Sequence, residues 1–119
     1  METQKIYSRD KLRNMMDQNE SEVDELMKIF IEMAPSLLKE MLDFADNEDW
    51  KSCSELAHKL KSSMRLWAID SLDEDVLFIE THGLLSENTD MVLSKIHNLN
   101  HKLLQVIEQM KSEIEENKS

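Results

Sequence analysis

A chain of 119 residues, 40% of them hydrophobic, can bury one core but not two, and it is too apolar for a disordered segment. Its 14 basic and 25 acidic residues leave a net charge of −11, a field that repels nucleic acid and anionic membrane surfaces and points to protein partners. No apolar run approaches the ~18 residues of a membrane span, METQKIYSRD carries no apolar leader, and the single Cys53 rules out an internal disulfide, so a reducing cytoplasm is the expected setting.

One glycine and one proline in the whole chain are too few turn residues for a β-rich domain. Leu, Met, Lys and Glu dominate, and all of them favour helix. The expected fold is all-α, a single domain over residues 1–119. A short helix around Asp10 to Met16 buries Leu12 and Met15 or Met16. A long one follows from Ser21, its expected N-cap, to Ala45. Its apolar residues Val23, Leu26, Met27, Phe30, Met33, Leu37, Leu38, Met41 and Leu42 recur at helical steps. Pro35 falls inside this run and predicts a kink. Asn47 to Asp49 reads as a break.

A third helix spans about Asp49 to Trp67, with Trp50, Cys53, Leu56, Ala57, Leu60, Met64 and Trp67 inward. Ser71 is the expected cap of a fourth helix, whose Leu72, Val76 and Ile79 face in and whose end lies near Gly83. Thr89 opens a fifth carrying Val92, Ile96, Leu99, Leu103, Val106 and Met110 on a heptad-like seam. From about residue 110 the chain turns polar, and Glu115 to Ser119 are expected to fray. The four longer helices then form an antiparallel bundle with the short first helix as a lid. Met1 and the polar tail favour a chain that works alone.

The third helix carries the chemistry. His58 lies roughly 150° around the wheel from the centre of the apolar cluster. Ser54, Lys61, Ser62 and Arg65 share that outer face at three- and four-residue spacings. An imidazole mounted this way is rigid at its base and open to another protein. Its neutral nitrogen can attack a phosphoryl group near neutral pH, and Lys61 lies within reach of the anionic product. Exposed histidines among basic residues are more often simply solvated, so the wheel alone does not decide the matter.

The surrounding motif narrows the choice. Leu56-Ala57-His58-Lys59-Leu60-Lys61-Ser62-Ser63 resembles the signature of histidine phosphotransfer (HPt) domains, in which A-H-x-L-K-G-S surrounds the phospho-accepting histidine. FIEMAPSLLKEM (Phe30 to Met41), Asp49-Trp50, Leu72 and the Ile79-Glu80 pair resemble the family's flanking helices, so the likeness runs from about Leu12 to Met110. It implies that His58 is the phospho-acceptor and that Lys61 neighbours the phosphoryl group. Glu80 falls where many members place a Gln or Glu that orients the imidazole, although an ordinary surface carboxylate is an equal reading. Ser62 stands where the family has glycine, and its hydroxyl can support a phosphoryl oxygen. Ala68 replaces a second glycine and should affect only how closely the end of the third helix packs.

The resemblance implies a phosphoryl carrier without kinase or phosphatase activity, monomeric, exchanging phosphoryl groups with receiver domains of response regulators and hybrid sensor kinases. Those receivers are expected to supply Mg²⁺ and the catalytic carboxylates, with no cofactor or metal held by this chain. The alternatives are a helical adaptor that docks proteins without phosphorylation and a metal-binding bundle using His97 and His101. His82 reads as surface, Cys53 as an inert core residue, and the acidic runs Asp73 to Asp75 and Glu113 to Glu116 as solvated.

Overall fold

The computed structural model describes residues 5–117. Helix α1 (Asp10–Met15) is followed by α2 (Glu20–Asp46), α3 (Trp50–Leu66), a 3-10 turn (Asp70–Leu72), α4 (Asp73–Leu85) and α5 (Thr89–Asn117). At 1.5 Å per residue α2 and α5 are each roughly 40 Å long, which accounts for most of the molecule's 46 Å long axis. Each of α2 to α5 packs on its two neighbours round a ring, α2 on α3, α3 on α4, α4 on α5, and α5 back on α2.

The cross-helix contacts run in opposite chain directions. Gly83 near the end of α4 meets Trp50 at the start of α3, and Arg65 at the end of α3 meets Asp73 at the start of α4. The bundle is therefore all-α and antiparallel, with α1 as an addition. The seam predicted for α5 is fully buried at Val92, Ile96, Leu99, Leu103, Val106 and Met110. Among the described residues no helix is long and apolar enough to cross a membrane.

Helix ends account for most of the departures from the sequence reading. The cap of α2 is Asn19, whose side chain accepts from the Glu22 N–H at 3.2 Å, and not Ser21, which lies inside the helix. As expected, Pro35 lies inside the single long run of α2. Asp49 caps α3 by accepting from the Ser52 N–H at 3.2 Å. Ser71 caps nothing, because residues 70–72 form the 3-10 turn and α4 begins at Asp73 with no side-chain cap. The last helix does not fray at Glu115, since α5 continues to Asn117 and buries Glu113 and Ile114; Lys118 and Ser119 lie outside the described residues. In α1 Leu12 is buried and Met16 half-buried, but Met15 is exposed.

Gly83 does not stop α4. Ser86 takes the left-handed conformation there, with φ 52°, and Gly83 lies buried against α3. The other helix ends also use residues with a Cβ. Glu48 (φ 56°) follows α2 and Ala68 (φ 53°) follows α3. At α3 the Ala68 N–H donates to the Arg65 carbonyl at 3.1 Å and the Ile69 N–H to that of Met64 at 3.0 Å, the paired bonds of a Schellman cap. Ala68 therefore occupies a site where backbone conformation, not closeness of packing, favours glycine.

The segment before α1 is fastened across the end of the bundle. Arg9, only 8% exposed, reaches Glu20 and Asp24 of α2 and Glu113 of α5, each at 2.7 Å. Lys5 and the Tyr7 hydroxyl also donate to Glu113. The Ser8 N–H donates to the Trp67 carbonyl at 2.8 Å, and the Tyr7 ring meets Trp67 edge-on at 6.5 Å between centroids. Burial disfavours the charged form of Glu113, but the hydrogen bonds from Lys5, Arg9 and Tyr7 outweigh it and hold the carboxyl below its usual range.

Two predictions follow from these ends. Ala68→Gly should stabilise the fold by about 1 kcal/mol, the ordinary penalty of a Cβ in the left-handed region, and a urea titration with no gain would show that the cap is unstrained. The folded pKa of Glu113 lies below the unfolded value of about 4.3. Its contribution is thus present above that value and is lost as pH falls through the folded pKa. Glu113→Gln should cost stability at neutral pH, with the gap to wild type closing on acidification. A gap that stays constant between about pH 7 and about pH 3 would contradict the ion cluster.

Candidate functional site

Helix α3 presents two different faces. Cys53, Leu56, Ala57, Leu60 and Met64 are buried, and burial pushes the Cys53 thiol up to about 11, so the cysteine is a packing residue without thiolate character. On the opposite side the His58 side chain is 67% exposed. The helical repeat that buries the core therefore presents the imidazole to solvent from a fixed base.

Its surroundings differ from the wheel reading in one respect. Ser54 is not on the open face beside His58. It is 4% exposed, turned into the α3–α4 interface, where its Oγ donates to the Glu80 carbonyl at 2.6 Å. Ser62 and Arg65 are exposed as expected, and the Arg65 Nε lies 3.1 Å from Asp73. Lys61 is half-buried and tilts toward α4.

Glu80 joins the set across the helix interface. Its Oε1 lies 3.3 Å from His58 Nδ1, and the Lys61 Nζ is 2.9 Å from the same oxygen and 2.7 Å from Oε2. The Lys61 ammonium, with a smaller contribution from His58, holds the Glu80 carboxyl below its usual range against the opposing effect of burial. Glu80 thus faces the imidazole across the α3–α4 interface. A carboxylate facing Nδ1 favours the tautomer that carries its proton there, in which Nε2 is the nitrogen with the lone pair.

The chain matches the family model described as Hpt domain over residues 25–117. It belongs to the Hpt domain family. Comparison with curated proteins and with solved structures returned no match. Hpt domains carry phosphoryl groups on histidine in phosphorelays and are, as a family, carriers without kinase activity of their own.

Outside this Hpt face the remaining candidates are scattered. His97 and His101 are exposed on α5, and among the described residues no group of three or more His, Cys, Asp or Glu is arranged to hold a metal ion. His82 is half-buried and stacks on Phe78 at 4.1 Å between centroids. The acidic runs are not wholly solvated. Asp75 is buried and pairs with Lys95 at 3.0 Å, and Glu113 belongs to the Arg9 cluster. Neither partner is near in sequence, so composition gave no signal for them.

Removing the ammonium should release Glu80. Lys61→Ala is expected to raise the Glu80 pKa toward the ordinary carboxylate value, read from the side-chain carboxyl carbon in an NMR titration. A midpoint that does not move would mean that the ion pair is absent in solution.

Proposed function

We propose that this protein is a phosphorelay intermediate that takes a phosphoryl group on His58 Nε2 from a receiver-domain aspartate, or from a hybrid kinase through its receiver, and passes it to a second receiver. The observation that carries the reading is an exposed imidazole whose other nitrogen faces a carboxylate. In the forward step the Nε2 lone pair forms the N–P bond as the P–O bond of the aspartyl phosphate breaks, and the carboxylate leaves with the electron pair. Nδ1 keeps its proton against Glu80, which offsets the positive charge that develops on the ring. Lys61, and the Ser62 hydroxyl one turn on from His58, are the groups available to the phosphoryl oxygens. Mg²⁺ and the catalytic carboxylates belong to the receiver, and the protein acts as a cytoplasmic monomer.

Two exposed leucines support docking of a folded partner here. Leu77 and Leu84 are 37% and 57% exposed and lie one turn either side of Glu80 on α4. Together they leave apolar surface on α4 to either side of Glu80 for a receiver to cover. An adaptor without phosphorylation would use the leucines but would have no use for the His58–Glu80–Lys61 set.

Incubated with phosphorylated receivers, the wild type should gain one acid-labile, base-stable phosphoryl group, and His58→Gln should gain none while keeping its helical circular dichroism. Labelling that persists in His58→Gln would sink the assignment. Lys61→Ala should slow transfer or shorten the phosphohistidine lifetime by less than about tenfold, the usual limit for a partly solvated charge pair. The effect should shrink at high salt.

A further inference from the structure

The contact between Glu80 and His58 depends on where α4 sits along α3, and two residues outside that contact determine it. Gly83 lies one turn beyond Glu80 on the same face of α4 and is buried. A Cβ added there would lie 2.8 Å from the Trp50 carbonyl oxygen and 3.3 Å from the Ser54 Cβ. The first distance is a clash with backbone, which cannot swing aside as the end of a side chain can. Ser54 lies one turn before His58, is 4% exposed, and donates at 2.6 Å to the main-chain carbonyl of Glu80, the residue whose carboxylate reaches the imidazole. Along the antiparallel pair, Trp50 and Ser54 of α3 therefore meet Gly83 and Glu80 of α4, with His58 next in line.

We propose that Ser54 and Gly83 are positioning residues for this site, the one by a buried hydrogen bond and the other by lacking a Cβ, which together fix the α3–α4 spacing that sets the Glu80 carboxylate against His58. The geometry leaves little slack. The Nδ1–Oε1 separation of 3.3 Å is already at the long end for such a hydrogen bond, so moving α4 outward weakens it. The imidazole would then lose the acceptor that holds its proton on Nδ1, and Nε2 would no longer be kept free of hydrogen. Neither residue touches the reacting atoms; both act through Glu80. The role of the pair in transfer rests on His58 being the phospho-acceptor, whereas its effect on the imidazole can be measured without any phosphoryl group.

The test is nitrogen-15 NMR of the unphosphorylated full chain at a pH where the ring is neutral, reading the ratio of the two His58 tautomers. Wild type, Ser54→Ala, Gly83→Ala and Glu80→Ala are compared, with the last marking the ratio when no carboxylate is present. Ser54→Ala should move the ratio toward the Glu80→Ala value by about fivefold, the worth of one ordinary hydrogen bond. Gly83→Ala should move it further, and transfer rates should fall in the same order. A Ser54→Ala protein that is folded and keeps the wild-type ratio would overturn the proposal, and this arm stands even if Gly83→Ala does not fold. If wild type takes up no phosphoryl group from any receiver, the phospho-acceptor reading fails while the tautomer ratios still judge the positioning role.

Discussion

The close approach of α3 and α4 is the constraint on which the site depends. An imidazole on one helix and a carboxylate on another meet only if the two backbones are held at a fixed distance and register. The lone glycine of the chain sits at this interface, with the Trp50 carbonyl too close to its Cα to admit a methyl group. Residues that end the helices, by contrast, carry a Cβ in the left-handed region at Glu48, Ala68 and Ser86. The energetics favour that division. A left-handed Ala or Glu costs about 1–2 kcal/mol, which a buried core can offset, whereas a side chain driven into a carbonyl oxygen must separate the helices.

Much of this was legible in the sequence because it rests on periodicity. The core faces of α2, α3 and α5 are repeats of three and four residues, and the outward direction of His58 follows from the same repeat that places Leu60 and Met64 inside. What periodicity cannot register is the azimuth of a small polar residue at the edge of the apolar stripe. Ser54 lies between the two faces, and its burial is decided by a carbonyl on α4, 26 residues away. The same limit applies to Gly83, which the sequence places near the end of the fourth helix, as found, without showing that α3 lies against it. Glu80 could be assigned no more than an even choice between two readings until the α3–α4 register was known.

The Arg9 cluster is a different kind of omission. Charges at Arg9, Glu20, Asp24 and Glu113 are unremarkable one by one, and only their meeting across the end of the bundle makes them a cluster around the buried Arg9 and Glu113. This fastening lies largely outside the stretch that matches the family model, which begins at residue 25. It grips the end of the bundle through Trp67, nine residues and so roughly 13 Å along α3 from His58. The stability added there does not draw on the residues that face a partner. That separation leaves the exposed side of α3 and α4 free to keep His58, Leu77 and Leu84 uncovered.

Charge balance at the site bears on how a carrier can be reversible. Without a phosphoryl group, the Lys61 ammonium and the Glu80 carboxylate neutralise each other at 2.7 Å, so the imidazole stands beside a locally neutral pair on an acidic protein. In the proposed function, a phosphoryl group on Nε2 would introduce a second anion that competes with Glu80 for the same ammonium. Glu80 would not then be left unpaired, since the phosphorylated ring would still offer a proton on Nδ1. One cation shared between two anions stabilises the phosphorylated form only modestly, because whatever Lys61 gives to the phosphoryl oxygens it withdraws from Glu80. A carrier that must surrender its cargo needs such a limit. A free lysine at the same place would hold the product more tightly, and the transfer onward would become the slower step.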